Sequence, residues 1–337
     1  MQLPTDAFIC VTFRCNGRCV MCDLWRKPPG QELKPQDYSW LPKSINYINI
    51  TGGEPFLRDD LADIIRVMHE SCLAPKMDIS TNGLLPARIE QRMKEILKIG
   101  AKVAVRVSVD GIGERHDQVR GVENAFDRAI ASVGILKEIG LKDIGIAYTA
   151  TNYNIDQLRP VADLAKRLKV QFTCCGIAHN SEFYFSEDNK PIENLEELRK
   201  QTTWLTREHL KSFHSTDWAR AYVDSGNHYF AATGKRNIPC FAGTDLFFMT
   251  PNGDVYPDMI LACKLGNIQS ESFEAMWHSP KATDFRNGID NVSNCPNQCW
   301  MLCTVFPHMR RNKLKCLTWI AANKVRAHMR LPITPVQ

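Results

Sequence analysis

Along the first half of the chain, apolar residues follow two alternating rhythms. Short, partly β-branched runs at Phe8 to Phe13, Ile45 to Thr51, Met77 to Ser80, Lys102 to Val109, Ile144 to Thr149 and Val170 to Cys175 have the length and composition of strands. Between them the period lengthens to that of a helix. The segment Asp60 to Cys72 places Leu61, Ile64, Ile65 and Met68 on one face, with Asp59 predicted to cap it. A second helix is predicted from Pro86 to Ile99, opened by proline and stopped at Gly100, and a third from Ala125 to Ile139, stopped at Gly140.

Strands that alternate with helices pair in parallel, and near-continuous apolar runs such as Val103-Ala-Val105 predict strands covered on both faces. A closed barrel normally uses eight such units. Six predict an α/β fold built as an open, partial (β/α)6 TIM-type barrel over residues 1–180. The pattern then turns helical and polar, which predicts a bridge over 181–237. A small cysteine-rich domain is expected over 238–310. It contains a hairpin from Phe247 to Tyr256, turned at Asn252-Gly253. A basic helix and tail complete the chain over 311–337.

Composition narrows the class. With 44% hydrophobic and 23% charged residues, the 337-residue chain matches ordinary globular proteins and not disordered ones. The net charge of +5 is modest and the bases are dispersed, except near Arg310-Arg311-Asn-Lys313-Leu-Lys315, where a solvated helix face accounts for the cluster; no nucleic-acid partner is expected. No secretion signal opens the chain and no apolar run approaches the ~18 residues of a spanning helix, so a cytoplasmic protein without a membrane partner is expected. Most of the thirteen cysteines fall in two clumps, Cys10 to Cys22 and Cys240 to Cys316. In a reducing compartment, clumped thiols point to metal and not to disulfides.

The motifs lie at the carboxyl ends of the predicted strands, where parallel architectures place their chemistry. Cys15-x3-Cys19-x2-Cys22 follows the first strand, Gly52-Gly53-Glu54-Pro55 the second, Thr81-Asn82-Gly83 the third and Asp110-Gly111 the fourth. Structural zinc wants four protein ligands, whereas a cluster iron without a protein thiolate can bind a small molecule. Three thiols therefore fit a cluster with an open corner. Asp110-Gly111-Ile-Gly113 hints at a dinucleotide fingerprint, but His116 occupies the third glycine position, so a Rossmann site is not expected.

This ordered set resembles the radical S-adenosylmethionine (SAM) enzymes over roughly residues 7–180. Ser108-Val-Asp110-Gly111 followed by His116 to Gly121 is similar to the branch with a C-terminal SPASM or twitch domain. Cys240-Phe-Ala-Gly243, Gly253-Asp-Val-Tyr-Pro, Leu265-Gly-Asn267 and the late cysteines resemble that extra domain. The resemblance implies that Cys15, Cys19 and Cys22 hold a [4Fe-4S] cluster whose fourth iron chelates SAM. It also implies that the Gly52-Gly53-Glu54 backbone accepts from the methionine amino group, and that Ser108 and Arg120 hold the carboxylate. Asn82 and Asp110 would serve the ribose or the loop shape. Met21 stands where the family commonly has an aromatic residue near adenine.

The auxiliary site is expected to hold one [4Fe-4S] cluster drawn from Cys240, Cys263, Cys295, Cys299 and Cys303, since six thiols cannot fill the eight positions of two clusters. Asp258 stands where the SPASM pattern has a cysteine; structural zinc is the alternative. Cys316 reads as a buried thiol. Cys174 and Cys175, at the end of the sixth strand, are candidates to return a hydrogen atom to a substrate radical, with ordinary packing as the alternative reading. Tyr148, His179 and Glu182 are candidates to line the cavity. The expected activity is reductive cleavage of SAM to a 5′-deoxyadenosyl radical that abstracts hydrogen from an organic substrate. Because the chain starts almost at its first strand, a sugar or small metabolite is favoured over a peptide. A low-potential donor such as flavodoxin or ferredoxin is implied. A peptide maturase or epimerase, and a non-catalytic iron-sulfur or zinc binding module, are the alternatives.

Overall fold

The predicted rhythm becomes a single continuous sheet. The computed structural model describes residues 2–28, 30–181, 184–289 and 298–336, with Cys174, Cys175 and Ile289 described by backbone alone. Its strands are β1 (Asp6–Cys10), β2 (Tyr47–Thr51), β3 (Lys76–Thr81), β4 (Val103–Ser108), β5 (Ile144–Ala150), β6 (Gln171–Ile177), β7 (Leu246–Met249), β8 (Asp254–Tyr256) and β9 (Gly266–Asn267). The spatial order is β6-β5-β4-β3-β2-β1-β7-β8-β9. Strands β1 to β6 pair in parallel, each with the next in sequence, as an open, partial TIM-type barrel requires.

The helices follow in chain order: α1 (Leu61–Ser71), α2 (Pro86–Leu97), α3 (Glu114–Arg120), α4 (Ala125–Glu138), α5 (Leu158–Leu168), α6 (Leu195–Lys211), α7 (Ser215–Thr233), α8 (Phe273–Trp277), α9 (Pro280–Ile289), α10 (Leu302–Arg311) and α11 (Lys313–His328). The predicted stop residues Gly100 and Gly140 both adopt positive φ, 77° and 85°. Asp59 is not the cap of α1: Asp60 holds that position, and the Asp59 carboxylate is taken by Arg88 and Arg92 at 2.8 and 2.9 Å.

Alternation gives the sheet two faces. Ile9, Ile48, Ile50, Ile79, Val105, Val107 and Ile146 pack with Ile64, Ile65 and Met68 of α1, Ile89 and Met93 of α2, and Val133 and Leu136 of α4. Each large aliphatic so buried contributes about 1.5–3 kcal/mol before conformational entropy is charged against it. The opposite, lumen face is mixed. Phe8, Cys10 and Phe248 line it at one side. At the other, Arg106 binds Asp78 at 3.0 Å and Asp143 at 2.6 Å. Gly145 leaves room for that guanidinium: a Cβ there would stand 3.1 Å from Arg106 Nη1 and 2.2 Å from the Thr173 methyl.

The predicted hairpin is present, with Phe248 opposite Tyr256 and Gly253 at φ 85°. Its first strand does more than the pattern foretold. β7 pairs in parallel with β1, with Asp6 opposite Leu246 and Ile9 opposite Met249, so the cysteine-rich region extends the barrel sheet.

Candidate active site

The loop carrying Cys15, Cys19 and Cys22 is gripped from two sides. On one, Gly53 N donates to Thr12 O and Glu54 N to Arg14 O, both at 2.8 Å. A Cβ on Gly53 would lie 2.3 Å from Arg14 O, and one on Gly52 would lie 2.6 Å from Thr12 O. The paired glycines thus permit one backbone to lie directly on another. On the other side, Arg18 N donates to Arg120 O (2.9 Å) and Val20 N to Val119 O (3.0 Å), at the end of α3. Gly121 closes that helix at φ 64°, where a Cβ would come within 2.4 Å of Arg18 O.

Held this way, the thiols ring a small surface. A Cβ on Gly17 would sit 3.6 Å from the sulfurs of both Cys15 and Cys19. Gly17 N donates to Cys15 Sγ at 3.4 Å, Arg120 Nη1 reaches Cys19 Sγ at 3.5 Å, and the Cys22 thiol faces Tyr184 O at 4.0 Å. Among the described residues no three His, Cys, Asp or Glu side chains converge as the ligands of a single ion would. A cubane, whose thiolates bind separate irons, suits three spread sulfurs. Burial pushes the Cys15 thiol up to about 11 and the Cys22 thiol up to about 12, so metal binding must displace their protons.

Around the thiols, the predicted contacts take definite places. Glu54 is fully buried and accepts from Thr81 Oγ1 (2.8 Å), Asn82 N (2.8 Å) and Phe56 N (3.2 Å). Burial raises it to about 7 against those three donors. Its side chain therefore laces the loop after β2 to the loop after β3. Asn82 bridges to Asn16 Oδ1 at 2.8 Å and to Cys15 Sγ at 3.9 Å. Arg120 and Asp110 form a buried pair at 2.6 Å, with the second Asp110 oxygen accepting from Thr149 N at 2.8 Å. Arg120 Nε is buried without a partner, a donor left over for an anionic group such as a carboxylate. Ser108 is partly buried on the lumen face, and Met21 is buried with its carbonyl accepting from Asn189 Nδ2 at 3.0 Å. The set fits a cluster with an amino-acid ligand.

A second thiol group lies on the lumen side beyond β7. Cys299 and Cys303 are buried with Phe248, Met259 and Tyr184, within electrostatic reach of Asp258 and Cys240. Burial raises the thiols of Cys240, Cys299 and Cys303 and the carboxyl of Asp258. One Asp258 oxygen accepts from Ile260 N and Leu261 N, both at 2.8 Å, which shapes the turn after β8. Cys263 packs instead against the larger apolar cluster, apart from the one holding Cys299 and Cys303. Cys295 lies outside the described residues, as does Glu182, and the side chains of Cys174 and Cys175 likewise. Cys316 is buried beside Tyr222, as expected of a packing thiol.

Tyr148 does not line the lumen. Its ring joins the helix-side core and its hydroxyl donates to Asn154 O, because residue parity on β5 sends Ala147 and Thr149 inward instead. His179 is buried against Phe230, and burial lowers it to about 4.

Two residues escaped the motif reading. Buried Arg236 forks onto Ile238 O (2.8 Å), Cys299 O (3.2 Å), Pro239 O (3.2 Å) and Thr304 (2.6 and 2.8 Å), binding the segments that carry Cys240, Cys299 and Cys303. Tyr184 bonds Thr51 Oγ1 at 2.5 Å and lies edge-on to Phe248. Gly226 lies inside the continuous helix α7, where a Cβ would stand 1.8 Å from the Trp300 ring.

Known proteins bear on this geometry. The chain matches the radical SAM superfamily over residues 9–168 and the iron-sulfur cluster-binding domain SPASM over residues 240–303. It is 29% identical over 228 residues to an Fe-coproporphyrin III synthase of Methanosarcina barkeri, spanning 65% of this chain but only 54% of that protein. It is 29% identical over 311 residues to the mycofactocin maturase MftC of Mycolicibacterium smegmatis, covering 83% of this chain and 73% of that one. The structure of Streptococcus suis SuiB bound to S-adenosylmethionine superposes with a TM-score of 0.64 at 17% identity, over 85% of this chain and 68% of that chain, a likeness of fold. The chain belongs to the radical SAM superfamily of enzymes, in the branch with a C-terminal SPASM domain, and that membership implies a [4Fe-4S] cluster, SAM and an auxiliary iron-sulfur cluster.

Proposed function

We propose that the chain abstracts a hydrogen atom from a small, hydroxylated organic molecule, a sugar or similar metabolite. When bound, the cluster and SAM supply a 5′-deoxyadenosyl radical by reductive cleavage, with the electron drawn from a low-potential donor of the flavodoxin or ferredoxin kind. The protein's own residues do the rest. Cys15, Cys19 and Cys22 fix the cluster at the rim, and Arg120, steadied by Asp110, offers its spare donor to the SAM carboxylate.

The observation that carries the reading is the trio of thiols clamped by backbone contacts between the loop after β2 and the end of α3. The substrate class rests on the lumen wall. Asn49, Ser80, Ser108 and Thr149 alternate with helix-side residues on β2 to β5, and all four keep partial exposure where their outward neighbours have almost none. They offer hydrogen bonds without net charge. Tyr184 occupies the lumen beside β1, β2 and β7, which narrows the space for an extended peptide. A peptide substrate is the second reading, favoured by the likeness to MftC, whose name makes it a maturase.

The test is anaerobic reconstitution followed by dithionite and SAM. Formation of 5′-deoxyadenosine supports the chemistry, and its absence with both clusters intact overturns it. Deuterium transfer from labelled sugars into 5′-deoxyadenosine supports the substrate class, whereas transfer only from labelled peptides supports the second reading.

A further inference from the structure

The last helix presents an unusual outward face. Seven of the chain's 42 bases follow Leu302, and none of its 37 acids does; without that segment the net charge would be −2 and not +5. Helix α11 turns Cys316, Ile320, Asn323 and Ala327 inward, so the opposite stripe should be polar. It is apolar instead. Leu314, Leu317, Ala321 and Val325 recur at helical spacing and continue to Met329, and the large ones are 85, 57, 59 and 63% exposed. Lys313 and Lys324 flank the stripe on one side, Lys315 and Arg326 on the other. Phe213, 94% exposed, follows Ser212, whose carbonyl accepts from Lys324 Nζ at 2.8 Å.

From this juxtaposition we infer that α11 seats the protein on an anionic lipid surface, lying in the membrane plane. The 16-residue helix is about 24 Å long and crosses nothing; indeed, among the described residues no helix is long and apolar enough to span a bilayer. An interfacial helix needs an apolar stripe for the acyl boundary and bases alongside it whose stems reach the headgroups, and both are here. Arg310 and Arg311 are spoken for by Asp6 and Asp245, whereas Lys313, Lys315, Arg326 and Arg330 meet no carboxylate among the described residues. A second copy of the same face would bring like charges together. Nucleic acid would take the bases but leave the leucines in water.

Sedimentation of the reconstituted full chain with vesicles tests this, using phosphatidylcholine alone and phosphatidylcholine mixed with phosphatidylglycerol. Binding to the anionic vesicles at least tenfold tighter than to the neutral ones is expected. Neutralising Lys313, Lys315 and Arg326 to Gln should weaken it by roughly fivefold per charge, and L314E with V325E should abolish it while 5′-deoxyadenosine formation stays unchanged. Any one of four results overturns the inference: equal binding to both vesicles, no binding to either, binding indifferent to L314E/V325E, or a dimer in size-exclusion that those substitutions dissolve.

Discussion

The two cysteine sites hold their thiols by opposite means. At the first, the three thiols come from eight consecutive residues, and neighbouring backbone grips the loop through Gly53, Glu54 and Gly121. At the second, Cys240, Cys299 and Cys303 arrive from distant segments and are joined by one buried side chain, Arg236. A contiguous loop can be set by contacts on its flanks. A dispersed set needs a hub.

The sharpest way to break the comparison is to remove one thiol from each site. Cys19→Ala should abolish 5′-deoxyadenosine formation, whereas Cys299→Ala should leave the first cluster assembled, as read by iron content and EPR. Retained cleavage in the first variant would contradict the assignment. Removing each site's arginine comes next. Arg120→Ala strands the buried Asp110 carboxylate and should destabilise by about 3–5 kcal/mol in urea titration. Arg236→Ala strands mainly neutral carbonyls and should cost about 1.5–3 kcal/mol.

Gly53→Ala should cost about 1–3 kcal/mol, because the clash is with backbone that must move, and should lower iron at the first site alone. The smallest effect is shared by both regions. Burial lowers His116, beside Asp110, to about 3 and His308, on α10, to about 4, from 6.5. The unfolded chain's imidazoles then bind more protons below pH 6.5, so the histidine contribution to stability falls as pH falls, while Glu54, raised to about 7, works in the opposite direction. The loss is about 0.7 kcal/mol per imidazole between pH 7 and 6, and His308→Asn should remove one such increment from the pH dependence measured by urea titration at the two pH values.

Those contrasts explain what the sequence disclosed. All six barrel strands were legible because burial on both faces writes apolar runs, as in β1 and β4. The first thiol set was legible because its spacing is local. The parallel pairing of β7 with β1 was not, since nothing in Leu246 to Met249 records which edge it joins. Arg236 was invisible for the same reason: its partners lie mostly across the fold from it in sequence. Tyr148 misled because one step along β5 exchanges lumen for helix layer.

That late pairing has a consequence for synthesis. As the chain leaves the ribosome, the N-terminal strand finds β2 early but keeps its other flank bare until Leu246 to Met249 emerges. Such an edge is a template for wrong partners, and a contact so distant forms slowly. Fragments ending before β7 should therefore clump.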